Sequence, residues 1–207
     1  MHISEGILSG GVLASGMALS AAGTYIGLKQ IDYDKMPQVA ILSAAFFVAS
    51  LVHVPIGPSS THLVLNGLMG ILLGWAAVPA ILIALLLQGM FFQFGGITTL
   101  GVNTVIMATP AIICYYLFRN IILKESFAAN ISGFACGFLS VFLAGILVGV
   151  ALMFTEKGFF EIAVAVIFAN LPVMIIEGVI TVSCIAFLKK VQPELLPGFS
   201  AKMVYQH

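Results

Sequence analysis

Residues 126–154 read SFAANISGFACGFLSVFLAGILVGVALMF and contain no Asp, Glu, Lys or Arg. A helix of about 20 apolar residues is long enough to cross the hydrocarbon core of a bilayer, so this stretch predicts a membrane-spanning helix. The whole chain has the same character: 61% of its 207 residues are hydrophobic, 8% are charged, and the mean hydropathy is +1.15. A soluble core could not bury this composition, and we therefore expect a polytopic membrane protein.

Outward from this stretch, apolar runs recur and are separated by short segments rich in Pro, Gly and charge. We expect an all-α membrane helix bundle of about seven transmembrane helices, forming a single integral membrane domain over residues 1–207. The third run is short, and its beginning could be re-entrant or unwound, which is tolerated only inside protein. The predicted spans are residues 7–28, 38–54, 62–75, 77–94, 101–120, 126–154 and 160–188.

The positions of Lys and Arg predict the orientation of this bundle. Alternating the loops from an outer amino terminus leaves only Lys157 outside, so the positive-inside rule favours an N-terminus outside and a C-terminus in the cytoplasm. The first residues and the loop that contains His53 and His62 then share the outer face, whereas His207 lies in the cytoplasmic tail. The basic residues assigned to the cytoplasmic side are Lys29, Lys35, Arg119, Lys124, Lys189, Lys190 and Lys202.

Met1-His2 is a potential chelate for one metal ion. The terminal amine, the deprotonated amide nitrogen of His2 and its Nδ1 would close one five-membered and one six-membered ring and occupy three corners of a square. Square-planar nitrogen ligation suits Ni(II) or Cu(II). No basic region and apolar core of a signal peptide precede this start, so we expect Met1 to be the mature terminus. Taken alone the pattern is weak, because every translated chain starts with Met.

Two histidines are candidates for the fourth nitrogen. His53 follows an apolar stretch and precedes Val54-Pro55, a boundary at which a histidine often bonds to a neighbouring helix or to interfacial water. His62 begins the third predicted span, and the hydroxyls of Ser59 and Ser60 could orient its ring or simply cap the helix. The residues alone leave both His53 and His62 as candidates for the fourth ligand.

A second outer segment, GGITTLGVN at residues 95–103, is suited to close approach by the amino-terminal residues. Thr98, Thr99 and Asn103 could hydrogen-bond to the chelate, with Asn103 favoured, or could stabilise a tight interhelical turn. Glu5 could balance charge near the metal or stay solvated.

Buried and small residues within the spans give further indications. Glu177 would be costly if it faced lipid, so we expect it to point inward or to contact a partner. Small residues at four-residue spacing on the first span predict close packing, either inside this protein or against a transport partner. These residues are Ala14, Ala18 and Ala22. The three cysteines occur singly, which favours neither a disulfide nor a thiolate metal site.

Three ordered motifs resemble the signatures of the CbiM/NikM family, the substrate-binding (S) membrane components of energy-coupling-factor transporters for cobalt and nickel. They are the opening MHISEG, the PSSTH that ends at His62, and GGITTLGVN at residues 95–103, and the resemblance covers essentially the whole chain. It implies that the metal is held by the amine of Met1, the amide and imidazole of His2, and His62. His53 is then left as a possible accessory residue.

The resemblance also implies a multi-subunit importer in the cell membrane of a prokaryote. Its other parts would be a transmembrane coupling (T) component, two cytosolic ATPase subunits and, in some systems, a small accessory membrane protein; no nucleic acid is expected. The sequence contains no GxxxxGK[ST] motif, so we expect a transport subunit that is not an enzyme and does not hydrolyse ATP. Planar nitrogen ligation favours Ni(II) as the cargo, with Co(II) as the alternative.

Two other functional classes remain open from the sequence. A stand-alone secondary transporter or channel for a small solute would act without partners, but the spans lack paired acidic residues. A non-transporting membrane scaffold would tolerate any amino-terminal extension. Neither class accounts for the Met-His start.

Overall fold

The computed structural model describes residues 2–56, 59–124, 126–155 and 160–196, with the backbone alone for residues 53–56, 59–61, 160–163 and 166. This part of the chain forms eight α-helices and one hairpin of two short strands. The helices are α1 Gly10–Leu28, α2 Met36–Ala49, α3 Asn66–Leu73, α4 Ala77–Phe92, α5 Leu100–Ile122, α6 Phe127–Met153, α7 Phe160–Ala169 and α8 Leu171–Val191; the strands are β1 His53–Ile56 and β2 Ser59–His62.

The predicted helical membrane fold is confirmed, and helix occurs in each of the seven predicted spans. Two of these helices are short, since α2 has 14 residues and α3 has 8. Gly74, with a φ of +55°, interrupts the helical run between α3 and α4. Within the described ranges, five helical runs are long and apolar enough to cross a bilayer: Gly10–Leu28, Asn66–Phe92, Leu100–Ile122, Phe127–Met153 and Leu171–Val191.

The second predicted span ends too late. Helix α2 stops at Ala49, and the residues predicted to complete the span enter β1, which pairs antiparallel with β2 so that His53 lies opposite His62. Pro55 disfavours helix, and the β-branched Val52, Val54 and Ile56 suit a strand, although hydropathy alone counts them as part of a span. The third predicted span does begin unwound, because α3 starts at Asn66 rather than at residue 62.

Helix α5 lies at the centre of the bundle and packs against α1, α3, α4 and α6, while α6 also packs against α7 and α8. Glycines make these approaches possible. Gly70 of α3 lies directly on the backbone of Ala111 in α5, and Gly137 of α6 lies against the carbonyl of Glu177 in α8. Small residues at helix contacts let backbones come close, which is how helices associate where lipid supplies no hydrophobic driving force.

The two ends of the bundle differ in character. At one end, Lys189 Nζ donates to the carbonyl of Lys124 at 2.8 Å, and the Gln38 amide donates to the carbonyl of Leu195 at 3.4 Å. These bonds bring the first turn of α2, the α5–α6 turn and the end of α8 together. The hairpin and the amino-terminal segment lie at the other end, away from these basic residues. Lys157 and Lys202 are outside the described residues.

Replacing Gly70 with Ala tests the close contact between α3 and α5. The added Cβ would overlap the Ala111 carbonyl, so the helices must separate, and we expect the variant to lose about 1–3 kcal/mol of stability. The measurement is the thermal unfolding midpoint in detergent. Gly11→Ala is the matched control, because a Cβ there meets open space. Equal midpoints for wild type and Gly70→Ala would contradict this packing.

Candidate metal centre

The imidazoles of His2 and His62 meet at the end of the bundle where α4 ends and α5 begins. His62 Nε2 lies 3.0 Å from His2 Nδ1, and the ring centroids are 4.7 Å apart. Adjacent nitrogens around one metal, bound at about 2.0 Å and at right angles, are separated by about 2.8 Å. The two nitrogens therefore stand at the spacing of neighbouring ligands on one ion. His62 is 3% exposed, so a bound ion would be shielded from water on that side.

Carbonyl oxygens fix the outward nitrogens of both rings. His2 Nε2 lies 2.8 Å from Gln88 Oε1, and His62 Nδ1 lies 3.0 Å from the carbonyl of Leu63. A carbonyl oxygen only accepts, so each outward nitrogen carries the proton and donates. The inward nitrogens then present two lone pairs toward each other, which repel unless a proton or a metal ion lies between them. Such outer hydrogen bonds are typical of histidines that bind metal.

Gln88 was not predicted from the sequence. It is fully buried in α4, and its Nε2 has no hydrogen-bond partner among the described residues. The only sequence signal was a single amide in an apolar span, which more often bonds a neighbouring helix. Its position at His2 indicates that it sets the protonated nitrogen of that ring.

Asn103 holds the amino-terminal segment rather than the imidazoles. Its Oδ1 accepts from the Ile3 amide at 3.0 Å and its Nδ2 donates to the Ile3 carbonyl at 3.1 Å. Nδ2 also donates to Thr99 Oγ1 at 3.2 Å. Asn103 is 1% exposed, so these bonds replace water for the backbone of Ile3. Residue 2 is thereby held beside His62.

Glu5 holds the same amino-terminal segment at a second point, two residues after Ile3. Its Oε1 accepts from the Thr98 amide at 3.0 Å and from the Thr98 hydroxyl at 3.2 Å, and these bonds hold the pKa of the Glu5 carboxyl below its usual range. The Glu5 amide also donates to the Gly95 carbonyl at 3.2 Å. Gly95 and Gly96 have positive φ, and a Cβ on Gly96 would overlap Glu5. Only glycine combines that backbone with that approach.

Glu177 supports the loop that contains His62. Its carboxylate accepts from the backbone amides of Val64 and Leu65, the latter at 2.9 Å and 3.1 Å. The side chain is fully buried, so it points inward as predicted. What the sequence did not predict is that its partners are backbone amides beside a candidate ligand.

The side chains of four predicted site residues are not among those that the structure describes. Met1 is outside the described residues, and the side chains of His53, Ser59 and Ser60 are outside them as well. In the part of the chain that the structure describes, no group of three or more His, Cys, Asp or Glu residues comes together. The two imidazoles thus meet there without a third such side chain.

The alanines of α1 do not pack inside the protein. Ala14, Ala18 and Ala22 are all exposed, and α1 instead buries Gly16, Ser20 and Gly27. The small-residue face that holds α1 in the bundle is therefore next to the predicted one. This excludes internal packing as the role of the three alanines.

Asn103→Ala tests whether the clamp on Ile3 serves metal binding. Without it, residue 2 loses its fixed position, and we expect nickel affinity to fall about 10–100-fold, the usual effect of removing a residue that orients a ligand. The measurement is a Ni(II) titration of the purified protein. Asn130→Ala is the control, because Asn130 is exposed near the start of α6 and bonds neither His2, Ile3 nor His62. Unchanged affinity in Asn103→Ala would contradict the clamp.

Known proteins resemble this chain over nearly its whole length. A "Putative metal transport protein" of Haemophilus influenzae is 42% identical over 199 residues, 95% of this chain and 97% of that protein. A cobalt transport protein CbiM of Sorangium cellulosum is 29% identical over 212 residues, covering 95% and 94%. The crystal structure of a truncated transition metal transporter superposes with a TM-score of 0.72 at 29% identity, covering 92% of this chain and 99% of that one.

The family comparison agrees with these similarities. Residues 2–195 match the model of the CbiM family, described as "Cobalt uptake substrate-specific transmembrane region". Members of an uptake family of this kind are transport components rather than enzymes. Together with the apolar helices that could span a membrane, the match shows that this chain belongs to the CbiM family, the multi-pass membrane components of cobalt and nickel uptake in prokaryotes.

Proposed function

We propose that this protein is the substrate-specific component of an ATP-driven nickel importer. The observation that carries the proposal is the His2–His62 pair, whose inward nitrogens lie 3.0 Å apart while both outward nitrogens face carbonyl oxygens. Membership of a family for metal uptake supports the same function. A scaffold or an independent solute carrier would have no use for this pair.

The chelate that we propose contains four nitrogens in a plane. The amine of Met1, the amide nitrogen of His2 and His2 Nδ1 form three corners, and His62 Nε2 forms the fourth. One proton leaves the amide, and the amine binds in its neutral form, so the metal replaces protons as it enters. Planar nitrogen ligation suits Ni(II), and Co(II) is the alternative cargo because a similar protein is named for cobalt.

Transport energy comes from partners in this proposal. A transmembrane coupling component and two cytosolic ATPase subunits would drive release, with a small accessory membrane protein as a further member. Ala14, Ala18 and Ala22 are exposed, so α1 presents a face of small side chains against which the coupling component could pack closely. The basic turns lie at the end opposite the histidines, which supports an outer metal site.

Ala18→Phe tests the alanine face of α1 as the contact with the coupling component. Failure of this variant to co-purify with its partners would support that contact, and normal co-purification would exclude it.

Two glycines added before Met1 test the chelate directly. They move the free amine out of the five-membered ring without making His2 the third residue of the chain, where the amine, two amides and the imidazole would form a new four-nitrogen chelate. We therefore expect near one-to-one Ni(II) binding by the native chain and its loss in the extended chain. Intact-mass spectrometry verifies each terminus. Equal binding by both chains would remove the amine from the site.

The pH dependence follows from the same ligands. Since the free amine has a pKa of about 7.7–8.0, two protons leave on binding below that range, and apparent affinity rises about 100-fold per pH unit. A pH-independent affinity would contradict the proposal.

His62→Ala and His53→Ala form a matched pair on the two strands of the hairpin. We expect His62→Ala to abolish tight Ni(II) binding, because one corner of the square is lost, and His53→Ala to have a much smaller effect. Metal titration and the visible absorption of planar Ni(II) measure both. The reverse ranking would make His53 the fourth ligand.

A further inference from the structure

The chain beside His62 leaves regular structure inside the protein. Strand β2 ends at His62, α3 begins at Asn66, and Val64 between them is fully buried. The intervening amides have neither a helical nor a strand partner, and an unmade hydrogen bond in such surroundings costs about 1–3 kcal/mol. The carboxylate of Glu177 accepts from the amides of both Val64 and Leu65.

The same stretch holds a strained backbone. Leu65 has a φ of +52°, in the left-handed region, where a side chain with a Cβ costs roughly 1–2 kcal/mol. Such a conformation persists only where the surroundings impose it. The two oxygens of Glu177 both bond the Leu65 amide, at 2.9 Å and 3.1 Å, and so hold the residue in this conformation.

The chain is fixed again directly after Leu65. The buried Asn66 donates from Nδ2 to the carbonyls of Met107 and Ser140, both at 3.4 Å. Asn66 therefore joins the start of α3 to α5 and α6, whereas Glu177 joins the preceding residues to α8. His62 directly precedes the residues that Glu177 holds, and the His62 ring bonds the carbonyl of Leu63, the residue before Val64.

Glu177 itself is held in place by tight helix packing. Its carbonyl lies against Gly137, and the adjacent Gly178 lies against the ring of Phe134, so α8 approaches α6 closely at both glycines. Glu177 is the one fully buried acidic side chain among the described residues. Burying a carboxylate at membrane depth costs free energy, so an acidic residue in this position is a candidate for a functional role.

We propose that Glu177 is a positioning residue for His62: by bonding the amides of Val64 and Leu65, it sets the loop so that His62 Nε2 faces His2 Nδ1. This inference rests on the proposed function, because it assigns His62 as a ligand. Glu177 does not touch the metal; it acts through the backbone of residues 63–65. Its loss displaces the ring while leaving the other three nitrogens unchanged.

A double-mutant cycle between Glu177 and His62 separates this role from general stability. In the full chain with its native terminus, Glu177→Ala and Glu177→Gln lower Ni(II) affinity, Ala by about 10–100-fold and Gln by less, since one amide oxygen still accepts. In the His62→Ala background, Glu177→Ala has no further effect on residual affinity. Additive losses in the two backgrounds would overturn the proposal, because a purely structural defect acts in both.

Thr181→Val is the matched control. Thr181 is also fully buried on α8, four residues further along, and its hydroxyl has no partner among the described residues. It should leave both affinity and its dependence on His62 unchanged. A loss equal to that of Glu177→Gln would assign the effect to α8 as a whole and overturn the proposal.

Hydrogen exchange of residues 62–66 without metal distinguishes this inference from the proposed function. We expect Glu177→Gln to speed exchange of the Val64 and Leu65 amides, and unchanged exchange would overturn the proposal. If exchange rises but the wild-type chain binds no Ni(II), the proposed function fails and the positioning role falls with it. If the wild-type chain binds one Ni(II) and Glu177→Gln binds it equally well, this inference alone fails.

Discussion

A backbone amide that leaves a helix inside a membrane protein must find its partner within that protein, because lipid tails offer none. This constraint applies wherever the chain departs from helix at the end of the bundle that contains His2 and His62. Asn103 satisfies the backbone of Ile3, Glu177 satisfies Val64 and Leu65, and Leu63 satisfies the ring of His62. Each of these bonds holds a segment that contains His2 or His62, or the ring itself. The same polar groups that make irregular chain tolerable therefore also shape the candidate metal centre.

The site consequently depends on residues from distant parts of the sequence. Gln88 on α4 orients His2, Asn103 on α5 holds the residue after it, and Glu177 on α8 supports the loop of His62. Glycines let these groups approach, most clearly where Gly96 makes room for Glu5. The two candidate ligands, which lie on irregular segments, are thus held by three regular helices, the kind of rigid support that a metal site requires.

Hydropathy predicted most of the fold, and its failures have physical causes. The predicted span 126–154 agrees with α6, Phe127–Met153, because nothing in it competes with helix. The span 38–54 was too long because β1 forms through pairing with β2, a partner that a hydropathy window does not see. Glu177 could be singled out as a costly acidic residue and Asn103 as a hydrogen-bonding residue near the chelate, but their main partners are backbone groups, which have no signature in a sequence. Gln88 was missed because a lone amide in an apolar span more often bonds a neighbouring helix than a site residue.

The position of Glu177 in the chain has a consequence for biosynthesis. His2, His62, Gln88 and Asn103 are all synthesised before α8, so the first helices enter the membrane with the amides of Val64 and Leu65 still lacking their carboxylate. Until α8 docks against α6, the loop has no support on that side. If Glu177 positions His62 as we propose, the two imidazoles become aligned only near the end of translation, and a prematurely terminated chain lacks the fourth ligand of the site.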